Sequence, residues 1–203
     1  MKKKIIITGG LGYIGTELCK LYSGVSWNNN ITVIDNRFIS ERVNQLRNWN
    51  IEFIQGDILD KKLINFFCKD ADIVHHLAGI TDVPRTKSET NVEKDKKIQK
   101  VAEEGTQNIL DSISEKCKII FPSTHVVYEG IEKVKNNITE DEEPKPELTY
   151  STSKALNEKQ LKKSGKNYII LRLGSVYGYS TDTARVDIMP NFFSKIASQD
   201  GVI

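Results

Sequence analysis

A tyrosine and a lysine lie four residues apart in the run Tyr150-Ser151-Thr152-Ser153-Lys154. On a helix this spacing places both side chains on one face. A neighbouring ammonium group stabilises phenolate, so we expect Lys154 to lower the pKa of Tyr150. Such a tyrosine can take a proton from an alcohol while hydride leaves the same carbon. The pair by itself is common, because many helices bring these two residue types together by chance.

A hydroxyl group upstream makes the pattern more specific. The run Phe121-Pro122-Ser123-Thr124 follows apolar residues and predicts the end of a strand at the carboxyl edge of a sheet. A hydroxyl there can hydrogen-bond the same substrate oxygen as Tyr150. We therefore predict that Thr124, Tyr150 and Lys154 form a catalytic set for alcohol–ketone redox chemistry.

Redox chemistry of this kind needs a hydride carrier, and the first fifteen residues indicate one. The apolar run Ile5–Ile7 leads directly into Thr8-Gly9-Gly10-Leu11-Gly12-Tyr13-Ile14-Gly15. Gly9 allows a tight turn, Gly12 a close approach of the backbone to phosphate, and Gly15 close packing of the following helix. The amides and dipole of that helix would meet a pyrophosphate. The pattern therefore predicts a dinucleotide site.

Later strand ends supply the rest of the predicted cofactor site. Asp35 ends a second apolar run, where a carboxylate accepts both ribose hydroxyls and repels a 2′-phosphate. This favours NAD over NADP, although Arg37 lies close enough to complicate the preference. Gly56-Asp57-Ile58 follows a third run and could hold an adenine edge. The small residues in His76-Leu77-Ala78-Gly79 would let the backbone lie along the dinucleotide.

The elements that must position these residues alternate along the chain. The predicted strands are Lys4–Thr8, Ile31–Ile34, Ile51–Gln55, Ile73–Leu77, Lys118–Pro122 and Tyr168–Leu171. The predicted helices are Ile14–Tyr22, Ser40–Asn48, Lys61–Cys68, Glu89–Ser114 and Thr149–Lys163, with a helix-like apolar segment from Met189. Short apolar strands alternating with helices predict an α/β fold, a doubly wound parallel sheet (Rossmann fold) with helices on both faces.

Composition narrows the class of protein. The 203 residues carry a net charge of +2, which gives no long-range attraction to nucleic acid or a membrane surface. The three cysteines, Cys19, Cys68 and Cys117, are too widely spaced for a metal pair and are expected to be core residues. We expect a reducing, cytoplasmic compartment and no metal. The adjacent His75 and His76 should point to opposite faces of a strand and pack there.

Together these residues resemble the extended short-chain dehydrogenase/reductase family, which contains nucleotide-sugar epimerases and dehydratases, and in particular its UDP-glucose/galactose 4-epimerase type. The motifs that carry the resemblance are TGGLGYIG, Asp35-Asn36, GDILD at Gly56–Asp60, HLAG, STHVVYEG at Ser123–Gly130, YSTSK, and RLGSVYG at Arg172–Gly178. The resemblance implies that Thr124 and Tyr150 contact substrate, and that Lys154 also holds the nicotinamide ribose. It implies further cofactor contacts at Tyr13, Ile14, Asp35, Asn36, Asp57, Ile58, Leu77, Ala78, Gly79 and Ser123.

The sequence departs from the family pattern at three points. The dehydratase triplet Thr-Asp-Glu is Thr124-His125-Val126 here, which favours epimerisation or another simple redox step over dehydration. Alignment on Gly105-Thr106-Gln107-Asn108 puts Ala102 where the family has asparagine, unless Asn91 replaces it. Ser175 stands where an asparagine faces the substrate in the family.

The preferred hypothesis is therefore an NAD-dependent nucleotide-sugar epimerase, acting at C4 through a transient 4-keto sugar. The alternatives are a reductase, dehydratase or decarboxylase of the same family, or an NAD-binding module without catalysis. Residues 1–178 would form the NAD-binding domain and 179–203 the start of a substrate-binding region that is mostly absent. The resemblance also implies a homodimer formed through the two long helices.

Overall fold

The computed structural model describes residues 2–81, 91–180 and 185–199. Six parallel strands form one sheet in the order β3-β2-β1-β4-β5-β6. The strands are β1 (Lys4–Thr8), β2 (Asn30–Asp35), β3 (Glu52–Gln55), β4 (Ile73–His76), β5 (Lys118–Thr124) and β6 (Asn167–Leu173). This order reverses between β1 and β4, which is the switch point where doubly wound sheets bind ligands.

The helices cover both faces of the sheet, as predicted. They are α1 (Tyr13–Ser23), α2 (Ser40–Asn48), α3 (Lys61–Cys68), α4 (Val92–Ser112), α5 (Thr149–Lys163) and α6 (Met189–Ser198). Two short 3-10 helices lie at Ser26–Asn28 and His125–Tyr128. No described helix is long and apolar enough to cross a membrane.

Alternation along the strands divides the core into two clusters. Ile6 and Ile34 pack with α3, α4 and α5 on one face, whereas Ile5, Ile7 and Val33 pack with α1 and α2 on the other. Successive strand side chains point to opposite faces, so β1, β2 and β4 contribute to both clusters. These clusters include three free thiols, namely Cys19, Cys68 and Cys117. Burial raises the pKa of Cys19 and Cys68 to about 12 and that of Cys117 to about 11.

Several predicted boundaries match the structure, and the other described ones differ by one or two residues, at strand ends and at the ends of α1 and α4. The bounds of β1, α2, α3 and α5 are as predicted. β5 runs two residues further than Pro122, so Ser123 and Thr124 belong to the strand. β4 ends one residue before Leu77. The predicted start of α4 at Glu89 lies outside the described residues.

Candidate functional site

The glycine-rich turn has the geometry that its sequence predicts. Gly9 has φ +71°, and its N–H donates to the carbonyl of Ile34 at 2.8 Å, which joins the turn to β2. A Cβ on Gly9 would lie 2.7 Å from backbone atoms of Ala78, so only glycine fits between β1 and the end of β4. A Cβ on Gly15 would lie 2.5 Å from the carbonyl oxygen of Gly9. These close contacts hold α1 against the turn.

This turn fits a dinucleotide pyrophosphate. Gly12 is the N-cap residue of α1, and no side chain caps the helix. The first amides of the helix, at Tyr13 and Ile14, therefore remain available to an anion, and the helix dipole favours negative charge there. Tyr13 also donates from its hydroxyl to the carbonyl of Gly178 at 2.6 Å, which ties the segment after β6 to the start of α1.

Asp35 lies at the end of β2 and is buried, as a ribose-binding carboxylate should be. Its Oδ1 accepts from the N–H and Nε of Arg37 at 3.1 and 3.2 Å. Its Oδ2 accepts from the N–H of Leu11 at 3.0 Å and from Nη2 of Arg37 at 3.3 Å. A carboxylate offers about four acceptor positions, and all are used here. Ribose binding at Asp35 therefore requires Arg37 to release it.

The predicted adenine residues lie beside Asp35. Nδ2 of Asn36 donates to Oδ2 of Asp57 at 3.4 Å, so the structure brings these two predicted residues together. The side chain of Ile58 instead lies in the core against Gly105 of α4. Its carbonyl accepts from Nδ2 of Asn108 at 3.0 Å. Ile58 can therefore contribute only backbone atoms to an adenine site.

The end of β4 is held by a buried chain of hydrogen bonds. His76 Nδ1 lies 3.0 Å from Oγ1 of Thr8, and Nε2 lies 3.0 Å from Oγ1 of Thr106 on α4. Burial lowers the pKa of His76 to about 3, so the ring is neutral. His75 points to the other face, where its Nε2 lies 2.8 Å from the hydroxyl of Tyr22. The two histidines are thus packed residues that fix the strand end.

Helix α5 carries the predicted catalytic pair to the carboxyl edge of the sheet. The Nζ of Lys154 donates to the carbonyl of Pro122 at 2.8 Å and lies 4.4 Å from the ring centroid of Phe121. The same nitrogen lies 5.8 Å from the ring centroid of Tyr150. Tyr150 and Lys154 line a cavity of about 30 Å³ together with the end of β4, at Leu77, Ala78 and Gly79. The structure therefore brings Tyr150 and Lys154 together with the predicted cofactor residues that follow β4, whereas Thr124 does not line this cavity.

The electrostatics of this pair differ from the prediction. Burial raises the pKa of Tyr150, and the charge of Arg185 opposes that rise. Lys154 contacts a carbonyl and two ring faces rather than the phenol oxygen, so the expected lowering of the Tyr150 pKa is wrong for this arrangement. Burial also lowers the pKa of Lys154 to about 8, and the carboxylate of Glu158 opposes that fall.

The two hydroxyl residues at the end of β5 have different partners. Oγ1 of Thr124 is buried and accepts from the N–H of Val126 at 3.3 Å, which starts the second 3-10 helix. Ser123, predicted as a cofactor contact, donates from Oγ to Glu158 at 2.6 Å. Its hydroxyl is therefore engaged with α5. His125 is exposed, and its Nδ1 lies 3.1 Å from the carbonyl of Leu173.

The structure resolves two of the departures from the family pattern. Asn91 is the N-cap of α4 and accepts from the amides of Glu93 and Lys94, so it does not replace the missing asparagine. Ala102 lines the cavity beside Tyr150 and Lys154 without a polar side chain. The third departure, Ser175, is exposed in the segment directly after β6.

Three charged residues around the site escaped the sequence prediction, namely Glu129, Glu158 and Arg172. Glu158 is 1% exposed and forms an ion pair with Arg172 of β6, with Oε2 to Nη2 at 2.7 Å. Glu129 accepts from the amides of Glu147 and Leu148 at 2.8 and 2.7 Å, just before α5 begins. The sequence signal that could have identified Glu158 is its position one turn after Lys154 on the same helical face.

Within the described ranges no group of His, Cys, Asp and Glu could hold a metal ion.

Comparison with known proteins agrees with this geometry. The model of the NAD dependent epimerase/dehydratase family matches residues 5–203. The chain is 35% identical over 130 residues to UDP-N-acetyl-alpha-D-glucosaminuronate decarboxylase of Bacillus cytotoxicus, which covers 63% of this chain and 38% of that protein. It is 31% identical over 197 residues to dTDP-D-glucose 4,6-dehydratase of Dictyostelium discoideum, with 87% and 44% covered. The chain thus spans less than half the length of these two relatives.

Solved structures lead to the same group of proteins. UDP-glucuronic acid 4-epimerase from Bacillus cereus in complex with NAD matches with a TM-score of 0.77 at 27% identity, covering 99% of this chain and 64% of that chain. These matches confirm the predicted family and the doubly wound fold. The family is NAD-dependent by its description, which confirms the predicted cofactor.

Proposed function

Because the chain belongs to the NAD dependent epimerase/dehydratase family, we propose that it is the NAD-binding and catalytic part of a nucleotide-sugar 4-epimerase. One observation carries the proposal: Tyr150 and Lys154 line the same cavity as Leu77, Ala78 and Gly79, at the switch point of the sheet. A proton-transfer pair and a dinucleotide edge meet there, as alcohol–ketone redox chemistry requires.

The residues that would hold NAD form one continuous edge. The amides at the start of α1 would bind the pyrophosphate, and Asp35 with Asn36 would accept the adenosine ribose hydroxyls. Lys154 would hold the nicotinamide ribose beside the end of β4. NAD⁺, when bound, supplies the hydride acceptor that interconverts a sugar alcohol and a ketone.

The chain's own part in catalysis is proton transfer and orientation. Tyr150 takes the proton of the C4 hydroxyl, and Thr124 hydrogen-bonds the same oxygen. Tyr150 must be a phenolate to accept this proton, so the mechanism requires the Lys154 ammonium group to face the phenol oxygen in the substrate complex, in place of its present contacts with the Pro122 carbonyl and the ring faces. After the 4-keto sugar turns its other face, Tyr150 returns the proton and C4 is inverted. Each proton and hydride removed is restored, so no net oxidation occurs.

The residues after Thr124 support epimerisation over dehydration. Elimination of water needs an additional acid and base beside the sugar. At the positions of the dehydratase carboxylates this chain has His125, whose ring contacts the carbonyl of Leu173, and the apolar Val126. The similarity to a decarboxylase and a dehydratase keeps both reactions as alternatives.

Substitution of the proposed acid/base residue tests the assignment. Tyr150→Phe should reduce turnover of a panel of UDP-, dTDP-, GDP- and CDP-sugars by at least about 100-fold, because proton transfer by a positioned group contributes that much. NAD affinity, measured by calorimetry, should stay within about threefold of the parent chain. The matched control is Tyr168→Phe, which removes an exposed hydroxyl on β6. Full turnover by Tyr150→Phe would refute the mechanism.

The products distinguish the reactions of the family, because epimerisation preserves mass whereas dehydration and decarboxylation do not. Assays should use both this chain and the product of its complete reading frame, since the chain spans less than half of the first two relatives. NAD binding without turnover of any sugar by either protein would instead support the non-catalytic alternative.

Two further features belong to the proposal. The antiparallel packing surface of a homodimer would be built from α4 and α5, which already contact each other through Asn157 and Gln160. Light scattering that gives the mass of a monomer at high concentration would contradict it. We also propose residues 1–178 as the cofactor domain and 179–203 as the start of the substrate region.

A further inference from the structure

A buried carboxylate lies behind the active site and has no part in the mechanism described above. Glu158 is one helical turn beyond Lys154 and two beyond Tyr150, on the same face of α5. It is 1% exposed, and its Oε1 accepts from Oγ of Ser123 at 2.6 Å and from Nε of Arg172 at 3.0 Å. Its Oε2 accepts from Nη2 of Arg172 at 2.7 Å. This is a two-pronged carboxylate–guanidinium pair with fixed geometry.

Arg172 continues the contacts to a third element. Its Nη1 donates to the carbonyl of Glu140 at 3.0 Å and to the hydroxyl of Tyr128. The Tyr128 hydroxyl in turn donates to the carbonyl of Thr139 at 3.1 Å. Glu140 and Thr139 belong to the acidic loop, which we define as residues 129–147. One ion pair therefore connects the catalytic helix, the end of β5 and the acidic loop.

Stability alone is a poor explanation for such a pair. Burying two charges costs several kcal/mol per ion, and apolar residues of similar volume often stabilise a fold as well or better. The bonded residues also adjoin the proposed catalytic residues, because Ser123 precedes Thr124 and Glu158 follows Lys154 by one turn. Positioning of Thr124 and Lys154 therefore explains the presence of this network better than a gain in stability does.

We infer that Glu158 and Arg172 are positioning residues, which fix Tyr150 and Lys154 relative to Thr124 and hold the acidic loop beside them. The inference deepens the proposed function and rests on it for the identity of the reaction. The network acts through two routes: the Ser123 hydrogen bond aligns the end of β5, and the carboxylate charge keeps Lys154 protonated.

The charges around Lys154 and Glu158 determine whether the carboxylate raises or lowers the pKa of Lys154. Lys154 faces Glu158 on its own helix, the neutral His76 from β4 and the Phe121 ring from β5. Glu158 faces Arg172 from β6 and Lys162 from its own helix, and both lower its pKa. Glu158 is therefore the anion that raises the pKa of Lys154, so its neutralisation should lower that pKa below about 8.

The test compares Glu158→Gln with Leu161→Ala. Leu161 is fully buried on the next turn of α5 outside the network, so its truncation destabilises the helix without removing the carboxylate. Competitive acetylation of the Lys154 amine across pH, followed by mass spectrometry, measures its titration midpoint without any turnover. We expect the midpoint to move to lower pH in Glu158→Gln by at least half a unit, and not to move in Leu161→Ala.

Kinetics and exchange supply the remaining readouts. In Glu158→Gln we expect kcat to fall about 10- to 100-fold, with the sugar KM within about threefold, since geometry rather than binding is lost. Arg172→Met should increase hydrogen exchange in residues 129–147, and Arg172→Lys should restore part of kcat. An unchanged Lys154 midpoint and unchanged kcat in Glu158→Gln, or equal changes in Leu161→Ala, would overturn the inference. If neither this chain nor the product of its complete reading frame turns over a sugar, the proposed function fails, while labelling and exchange still decide the network.

Discussion

The centre of the sheet, at β1 and β2, and its β6 edge differ in how completely their apolar side chains are buried. In β1 the residues Ile5–Thr8 are all buried, and β2 is buried from Ile31 to Asp35. In β6 no residue is buried, and Ile169 and Leu171 are 39% and 43% exposed. α1 packs into the core, whereas α6 buries no residue among the described ones.

β6 and α6 therefore leave apolar surface exposed, whereas β1, β2 and α1 pack into the core. The proposed pyrophosphate and ribose sites lie where the turn, α1 and β2 pack on one another. The β6 side presents apolar surface on the face that α1 and α2 cover elsewhere. We therefore expect cofactor affinity to depend on the packing of the turn, and stability to depend on β1 more than on β6.

The largest effect on NAD affinity is expected at the glycine turn. Gly15→Ala would place a methyl group 2.5 Å from the Gly9 carbonyl oxygen and 2.6 Å from Cα of Gly10, both backbone atoms that cannot give way. Overpacking of this kind costs about 1–3 kcal/mol, so NAD affinity by calorimetry should fall about 10- to 100-fold. Gly24→Ala, at the other end of α1 with nothing within 4 Å of its Cβ, is the matched control. Equal affinities in the two variants would disprove the close-packing role.

A second experiment, on stability rather than cofactor affinity, should separate the β1 and β6 strands directly. Ile6→Ala removes a fully buried core side chain, so the free energy of unfolding measured in urea should fall by about 2–5 kcal/mol. Ile169→Ala removes a side chain that is 39% exposed, and the loss should be below about 1 kcal/mol. A loss at Ile169 as large as at Ile6 would mean that β6 is covered in solution, and the contrast would fail.

The smallest effect concerns acid and the end of β4. Burial lowers the pKa of His75 to about 4 and of His76 to about 3, from 6.5. Between those values the unfolded chain binds more protons than the folded chain, so the free energy of unfolding falls as pH falls below 6.5. We expect a loss of about 1–2 kcal/mol per histidine between pH 7 and 5. Urea unfolding at both pH values checks this.

A pair of variants assigns the acid effect to its source. His76→Gln should reduce the pH dependence by about half, because His75 remains, whereas His125→Gln, at the exposed third histidine, should keep it. The same dependence in all three proteins would place the acid sensitivity in His75 alone.

Local patterns explain why so much of the fold was predictable. The bounds of α5 and α3 follow from helical periodicity and, in α3, from the cap Asp60, whose side chain accepts from two amides. The glycine turn was predictable because its chemistry lies within eight consecutive residues. Both features depend on neighbours in sequence, which a single chain displays directly.

The parts that escaped prediction depend on distant residues. Glu158 meets Arg172 across 14 positions and Ser123 across 35, and no spacing rule connects them. The direction of the Tyr150 pKa followed burial, which sequence does not display, rather than the adjacent lysine. Arg37 was noticed beside Asp35, but only the coordinates show that it uses the acceptor positions of that carboxylate.

Hydrogen bonds hold the acidic loop at its base, and their positions determine where its sequence can vary. Glu129 accepts from Ser151 and from the amides that precede α5, while Lys145 bonds Val127 and Gly130 through the backbone. None of these hydrogen bonds involves the loop tip near Asn137. Insertions or exchanges at the tip should therefore leave the register of α5 unchanged. Under the proposed function, such sequence change would not disturb the reaction centre.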